Sequence, residues 1–135
     1  MTVLASPRFL RAVLWADAAS CAGTALLQLA GTAVLAPLLG LPAGLLQGSA
    51  ALLCVVAPFA AWLARRDPPW CAGVLFLAAG NALWVLVCLA LLFTGAAGTA
   101  AGQAWLVIQA VAVGVLAELE FMAVRRRASG MLVNP

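Results

Sequence analysis

Three side chains that carry much of protein chemistry are missing from this sequence. It has no histidine, no lysine and no tyrosine, and only 8% of its residues are charged. A soluble globular domain has about a quarter charged residues, so the composition excludes that class. Without histidine the chain lacks the commonest general base and the commonest metal ligand. We therefore expect no enzyme, no catalytic residue, no cofactor and no metal site. An acid pair acting on a lipid substrate is the one catalytic alternative left open.

Positive charge is scarce and clustered. All seven basic residues are arginines, and they stand in short groups beside hydrophobic segments. Nucleic-acid binding needs an extended basic face, so we expect no nucleic-acid partner. The cysteines fall one to a hydrophobic segment or its edge without a C-x-x-C pair, which favours a packing role over redox or zinc chemistry. They are Cys21, Cys54, Cys71 and Cys88.

Hydrophobic residues make up 67% of the chain, and the mean hydropathy is +1.15. This composition predicts an all-α protein, a four-helix bundle embedded in the lipid bilayer as a single membrane domain of residues 1–135. Ser6 followed by Pro7 predicts the start of the first helix, and Gly40 predicts its end. The predicted spans are about 8–38, 43–64, 70–93 and 102–124, followed by a frayed tail at 128–135.

The arginines predict how the chain sits in the membrane. They fall at the start of the first span, after the second and after the fourth, while the other two loops carry no charge. Because cytoplasmic loops are enriched in arginine, we expect both termini in the cytoplasm. Asp17 interrupts the first hydrophobic segment, so we expect an uncleaved span there and not a secretory signal.

Polar residues inside the spans are the candidate binding site. Asp17 follows Arg11 by six residues and Glu118 precedes Arg125 by seven, so both lie about 10 Å inside their arginines. Asn81 is nearer the middle of the third span. We expect Asp17, Asn81 and Glu118 to form one ligand-binding cluster, because ionisable residues at this depth are costly and mark function. The alternative is a packed bundle in which they only form interhelical hydrogen bonds.

The fourth span carries a second acid on another face. Glu120 lies about 200° around the helix from Glu118, and Gln109 returns to the face of Glu120. We expect Glu120 and Gln109 to face another subunit of a homo-oligomer, an arginine or the lipid head groups. Two neighbouring carboxylates either share a proton or are neutralised by an arginine such as Arg11, and the sequence leaves both open.

Several short segments carry a family resemblance: Arg65-Arg66 after Trp62, Asn81-Ala82-Leu83-Trp84 and Ala117-Glu118-Leu119. The chain resembles small bacterial four-span membrane proteins rich in alanine and leucine, which implies a multi-pass protein of the bacterial inner membrane. That resemblance implies no particular activity. In size and span number the chain is also similar to the small multidrug-resistance exporters, although those place a glutamate in the first span where this chain has Asp17.

Together these patterns favour a protein that binds or transports a small cationic or amphipathic molecule through an acid-lined cavity on the cytoplasmic side. The alternative is a non-transporting structural or assembly subunit of a membrane complex, whose polar residues only hold helices and partners together.

Overall fold

The computed structural model describes the backbone of residues 6–133 and the side chains of residues 6–129. Within that range the regular structure is four helices and no strand, which confirms the predicted all-α class. Each helix is long and apolar enough to cross a membrane, as in a multi-pass membrane protein. The helices are α1 Pro7–Leu39, α2 Ala43–Arg65, α3 Cys71–Phe93 and α4 Ala100–Val133.

The last helix differs most from its prediction. It begins two residues before the predicted span and continues beyond it to Val133. The tail that was predicted to fray from residue 128 is thus helical as far as Val133, and residues 134 and 135 lie outside the described part of the chain. The hydrophobic run ends at Arg125, but arginine is a good helix former, so the helix does not have to stop where the membrane does.

Local sequence sets the helix ends. The Ser6 hydroxyl accepts a hydrogen bond from the Phe9 amide at 3.1 Å, and Pro7 occupies the first helical position. Gly40 ends α1 in the left-handed conformation at φ 60°, where other residues are strained. Thr99 starts α4: its hydroxyl accepts from the Gly102 amide at 3.0 Å and donates to the Leu38 carbonyl at 2.9 Å. This threonine therefore caps one helix and ties it to the end of another.

The four helices pack in the order α2, α1, α4, α3, and α2 and α3 make little contact with each other. The bundle is thus closed on three sides. We call the fourth side, between α2 and α3, the seam.

All seven arginines lie at one end of the bundle, because successive helices run in opposite directions. The start of α1, the end of α2, the start of α3 and the last third of α4 meet in one apolar cluster there. We call this end the arginine end and the opposite one the uncharged end. Arg65 lies over the ring of Trp15 at 5.5 Å and Arg66 over Trp62 at 4.6 Å. Such arginine and tryptophan pairs are typical of a membrane interface.

A layer of packed apolar side chains closes the bundle near each end. The arginine-end layer consists of Leu10, Leu14, Ala18, Ala60, Leu63, Ala64, Val74, Leu77, Ala123 and Val124. The uncharged-end layer consists of Leu39, Leu41, Leu46, Cys88, Ala97 and Leu106.

Candidate functional site

A single amide on α3 joins two buried carboxylates from the neighbouring helices α1 and α4. The Asn81 Nδ2 atom donates to Asp17 Oδ2 at 3.2 Å and to Glu120 Oε2 at 3.3 Å. Asp17 is 1% exposed, Glu120 0% and Asn81 7%. Three helices, α1, α3 and α4, therefore meet at one polar centre, which we call the carboxylate cluster.

The cluster lies one helical turn inside the arginine-end layer on each helix. Asp17 follows Leu14 by three residues, and Asn81 follows Leu77 by four. Glu120 precedes Val124 by four, because α4 runs in the opposite direction. Residues three or four apart share a helical face, so the leucines and valine that build the layer also turn these polar side chains inward.

The structure brings Asp17 and Asn81 together as the sequence predicts, but Glu118 is not their partner. Glu118 is exposed on the outer surface of α4, where it lines a shallow groove against α3. Glu120 takes the place expected for Glu118. The expected cluster of Asp17, Asn81 and Glu118 is therefore corrected to Asp17, Asn81 and Glu120.

The packing of α4 explains this exchange. Its buried face includes Leu106, Ala117, Glu120 and Val124, which recur at helical spacing. Leu106, Val113 and Glu120 follow one another at intervals of seven residues. This spacing keeps them on one helical face, so the sequence itself marks the inner face of α4. Gly114 lies one helical turn before Glu118 on the same face of α4, and both line the groove on the outer surface.

Gln109 shares the face of Glu120, and that face points into the bundle. Gln109 is half-buried and lines an internal cavity, and Glu120 is fully buried within one chain. Within one chain both side chains thus face inward, whereas the predicted subunit interface would need them on the outer surface. The physical reason is the same rotation of α4 that exposes Glu118.

In the described part of the chain, no arginine forms an ion pair with the carboxylate cluster. Among the described residues, the ion pair within 4.0 Å is Arg11 with Asp67, at 3.8 Å and at the surface of the arginine end. The Cys21 thiol donates to Asp17 Oδ1 at 3.5 Å, but Glu120 Oε1 is buried with no hydrogen-bond partner. The two carboxyl groups thus share one amide and one thiol, and they lie within hydrogen-bonding reach of each other when one of them carries a proton. The described part of the chain has no group of three or more His, Cys, Asp or Glu side chains arranged to hold a metal ion.

A cavity of about 420 Å³ lies next to the cluster. Asn81 and Cys21 form part of its wall, and the carboxylates of Asp17 and Glu120 stand directly behind them. Most of the lining is apolar, and the other polar lining residues are Ser20, Thr24, Ser49 and Gln109. The cavity therefore presents an apolar surface with a polar strip that leads to the two acids.

A second polar contact links α1 to α2 on the uncharged side of the cluster. The Ser49 hydroxyl donates to Gln28 Oε1 at 2.9 Å, and both side chains are buried. Gln28 lies eleven residues after Asp17 and shares its face of α1. This contact holds α2 against α1, beside the cavity.

No protein-family model, curated protein or solved structure matches the chain. The fold and the site define a small helical bundle of the multi-pass membrane type with an acid pair at its centre.

Proposed function

We propose that this protein binds or transports a small cationic, amphipathic molecule, whose positive charge is held at the carboxylate cluster and whose apolar part fills the adjacent cavity. The observation that carries the proposal is the acid pair itself: Asp17 and Glu120 are buried, share one amide donor and have no arginine partner. Asp17 and Asn81 keep the ligand-binding role predicted from the sequence, and Glu120 replaces Glu118.

Charge buried in the bundle carries a cost in free energy. Ionised carboxylates inside a membrane span are expensive and are found facing a cavity, a partner charge or a pathway. Two neighbouring carboxylates also repel each other, so both stay ionised only with a positive charge beside them. A bound proton or a bound cation supplies that charge, and the two compete for one place. Such competition is the basis of proton-coupled transport.

The cavity favours a ligand with an apolar body. Its volume of about 420 Å³ falls within the roughly 300 to 1,000 Å³ of small-molecule sites, which are mostly apolar with a few polar groups that fix orientation. Asn81 and Cys21 supply those polar groups on the side of the acids. A compact organic cation with hydrophobic substituents matches both features, whereas a small hydrated ion would leave the apolar wall unused.

The distribution of charge supports an orientation. All seven arginines lie at one end, so we propose that this end, with both termini, faces the cytoplasm of a bacterial inner membrane. A C-terminal fluorescent-protein fusion should be fluorescent and a C-terminal alkaline phosphatase fusion inactive. The reverse pattern would place the arginine end outside.

Ligand binding is tested with two ions of the same shape and opposite charge. Tetraphenylphosphonium should bind to the purified protein in lipid nanodiscs, measured by calorimetry, and tetraphenylborate should not. The Asp17→Asn variant should lose most of the cation affinity while remaining folded and monodisperse. Equal binding of both ions, or undiminished cation binding by Asp17→Asn, would contradict the proposal.

A second candidate, the structural or assembly subunit, has its own supporting observation. Glu118 is an exposed carboxyl group within the apolar part of α4, and small residues surround it in the α3/α4 groove, including Ala78, Ala82 and Gly114. Small residues allow membrane helices to approach closely, and a polar side chain among them forms a hydrogen bond to the neighbouring helix. Gly114→Leu should then break an oligomer that native mass spectrometry detects in the parent, while Gly48→Leu on α2 should leave it intact. A monomeric parent would remove this candidate as a homo-oligomer.

A further inference from the structure

We infer that the ligand enters the cavity sideways, from the hydrocarbon of the bilayer through the seam between α2 and α3, and that its substrates are therefore cations that partition into membranes. This inference rests on the proposed function and adds to it the route of entry and the substrate class.

The arginine end offers no direct route. The side chains of Leu10, Leu14, Leu63 and Val74 in the arginine-end layer are all fully buried. They come from three different helices and stand between the carboxylate cluster and the arginines. A cation approaching from the water at this end would have to separate the best packed part of the bundle.

The uncharged end is closed as well. Leu46, Cys88 and Leu106 are buried in the uncharged-end layer and come from α2, α3 and α4. Behind them, the backbones of α1 and α4 approach so closely that a Cβ atom added to Gly102 would collide with the Leu39 carbonyl. Water at this end therefore has no direct path to the cavity.

The seam is the side on which the cavity is open. Leu52 on α2 and Phe76 and Leu83 on α3 line the cavity, yet they are 56%, 74% and 62% exposed. A side chain that both lines a cavity and is exposed marks its mouth. Phe59 and Phe76 meet across the seam with ring centroids 6.1 Å apart, so this aromatic pair bounds the mouth on the side of the arginine end.

The depth of this mouth identifies its surroundings. Leu52 is thirteen residues before Arg65, which places it about 20 Å along the helix from that arginine. This is the middle of an apolar span of 23 residues, where acyl chains surround the protein. A ligand at the mouth is therefore already dissolved in the membrane. The acid pair selects those membrane-soluble molecules that carry positive charge.

Two substitutions at the mouth, which we call the portal variants, separate the route of entry from the binding site. Leu52→Trp and Leu83→Trp narrow the mouth without touching the carboxylate cluster, and both positions face lipid, so the fold should be unaffected. Leu26→Trp is the matched control, because Leu26 is also exposed on its helix but does not line the cavity. The probe is tetraphenylphosphonium, mixed rapidly with the protein in nanodiscs, and binding is followed by intrinsic tryptophan fluorescence or by a displaced fluorescent cation.

A narrowed mouth slows dissociation as well as association, whereas weakened binding would speed dissociation. We expect Leu52→Trp and Leu83→Trp to slow both the association and the dissociation of tetraphenylphosphonium, each by about tenfold. Because both side chains also line the cavity, the test is the slower dissociation and not the value of the Kd. Leu26→Trp should have parental rates. Tetramethylammonium, which has the same charge but does not enter the bilayer, should not bind.

The outcomes distinguish the two claims. Cation binding that depends on Asp17 but keeps parental rates in both portal variants would overturn sideways entry and leave the proposed function standing. Binding of tetramethylammonium as readily as the lipophilic cation would do the same. Absence of cation binding by the parent would overturn both. Gly80→Phe fills open space in the cavity wall beside Asn81 and should raise the Kd. An unchanged Kd in this variant would place the bound cation outside the cavity and overturn both claims.

Discussion

Glu118 and Glu120 are separated by one residue on α4, yet Glu120 is completely buried at the centre of the bundle while Glu118 is exposed on its outer surface. One helix thus presents two acids to two different environments. Glu120 shares an amide donor with Asp17, and Glu118 lies in a groove that both small residues and bulky apolar residues such as Leu86 and Phe121 line. The pair therefore provides its own experimental control, since the same substitution at the two positions changes the same chemistry on different faces.

Replacing the shared amide should destabilise the bundle. Asn81→Leu removes the donor to both carboxylates, and we expect the free energy of unfolding to fall by about 1 to 3 kcal/mol, as for the loss of buried hydrogen bonds between membrane helices. Equilibrium unfolding in mixed micelles measures this loss. Gln103→Leu, at an exposed position of α4, should cost much less. Equal stabilities of the two variants would show that the Asn81 hydrogen bonds do not hold the helices together.

Close packing of α1 against α4 predicts a strong effect at one glycine. Gly102→Ala places a methyl group against the Leu39 carbonyl and should destabilise the protein by about 1 to 3 kcal/mol, the usual cost of overpacking. Gly48→Ala adds the same methyl group where nothing lies within 4 Å. It should be neutral or slightly stabilising, because alanine favours helix more than glycine does. If the two variants have the same thermal stability, this close contact is absent in the membrane.

Cation binding should weaken as the solution becomes more acidic. A proton and the ligand compete for the acid pair, so a cation that displaces one proton binds about tenfold more tightly for each unit of rising pH until the pair has lost that proton. Calorimetry with tetraphenylphosphonium between pH 5 and pH 9 measures this slope. The ion carries a fixed charge, so any pH dependence belongs to the protein. In Glu120→Gln the slope should be reduced together with the affinity, and a flat profile for the parent would contradict competition with a proton.

The helices themselves were largely predictable. The ends of α1, α2 and α3 fall within one residue of the limits expected from the hydrophobic runs and the capping residues. These features act locally. Ser6 caps the start of α1 with a side-chain hydrogen bond, and Gly40 ends the helix through its left-handed dihedral angles. The end of α4 was missed because a helix can continue into water beyond the last apolar residue.

The site was predictable only in part, because it depends on how helices are rotated about their axes. Asp17 is the one acid within helix α1 and Asn81 the one amide side chain within helix α3, so an inward rotation of both helices brings them together. Helix α4 carries two acids, and its packing against α1 and α3 determines that Glu120 and not Glu118 faces the interior of the bundle. The cavity depends on the order of the helices around the bundle, which leaves α2 and α3 apart. No local pattern in the sequence records that order.

The most direct test of the proposed function compares the two glutamates of α4. Tetraphenylphosphonium binding is measured by calorimetry for the parent, Glu120→Gln and Glu118→Gln in the same nanodiscs, after size-exclusion chromatography has shown that all three are folded and monodisperse. The carboxylate cluster predicts that Glu120→Gln loses at least about tenfold in affinity, the equivalent of roughly 1.4 kcal/mol, while Glu118→Gln binds like the parent. Loss of binding in Glu118→Gln with full binding in Glu120→Gln would place the ligand on the outer groove and contradict the account.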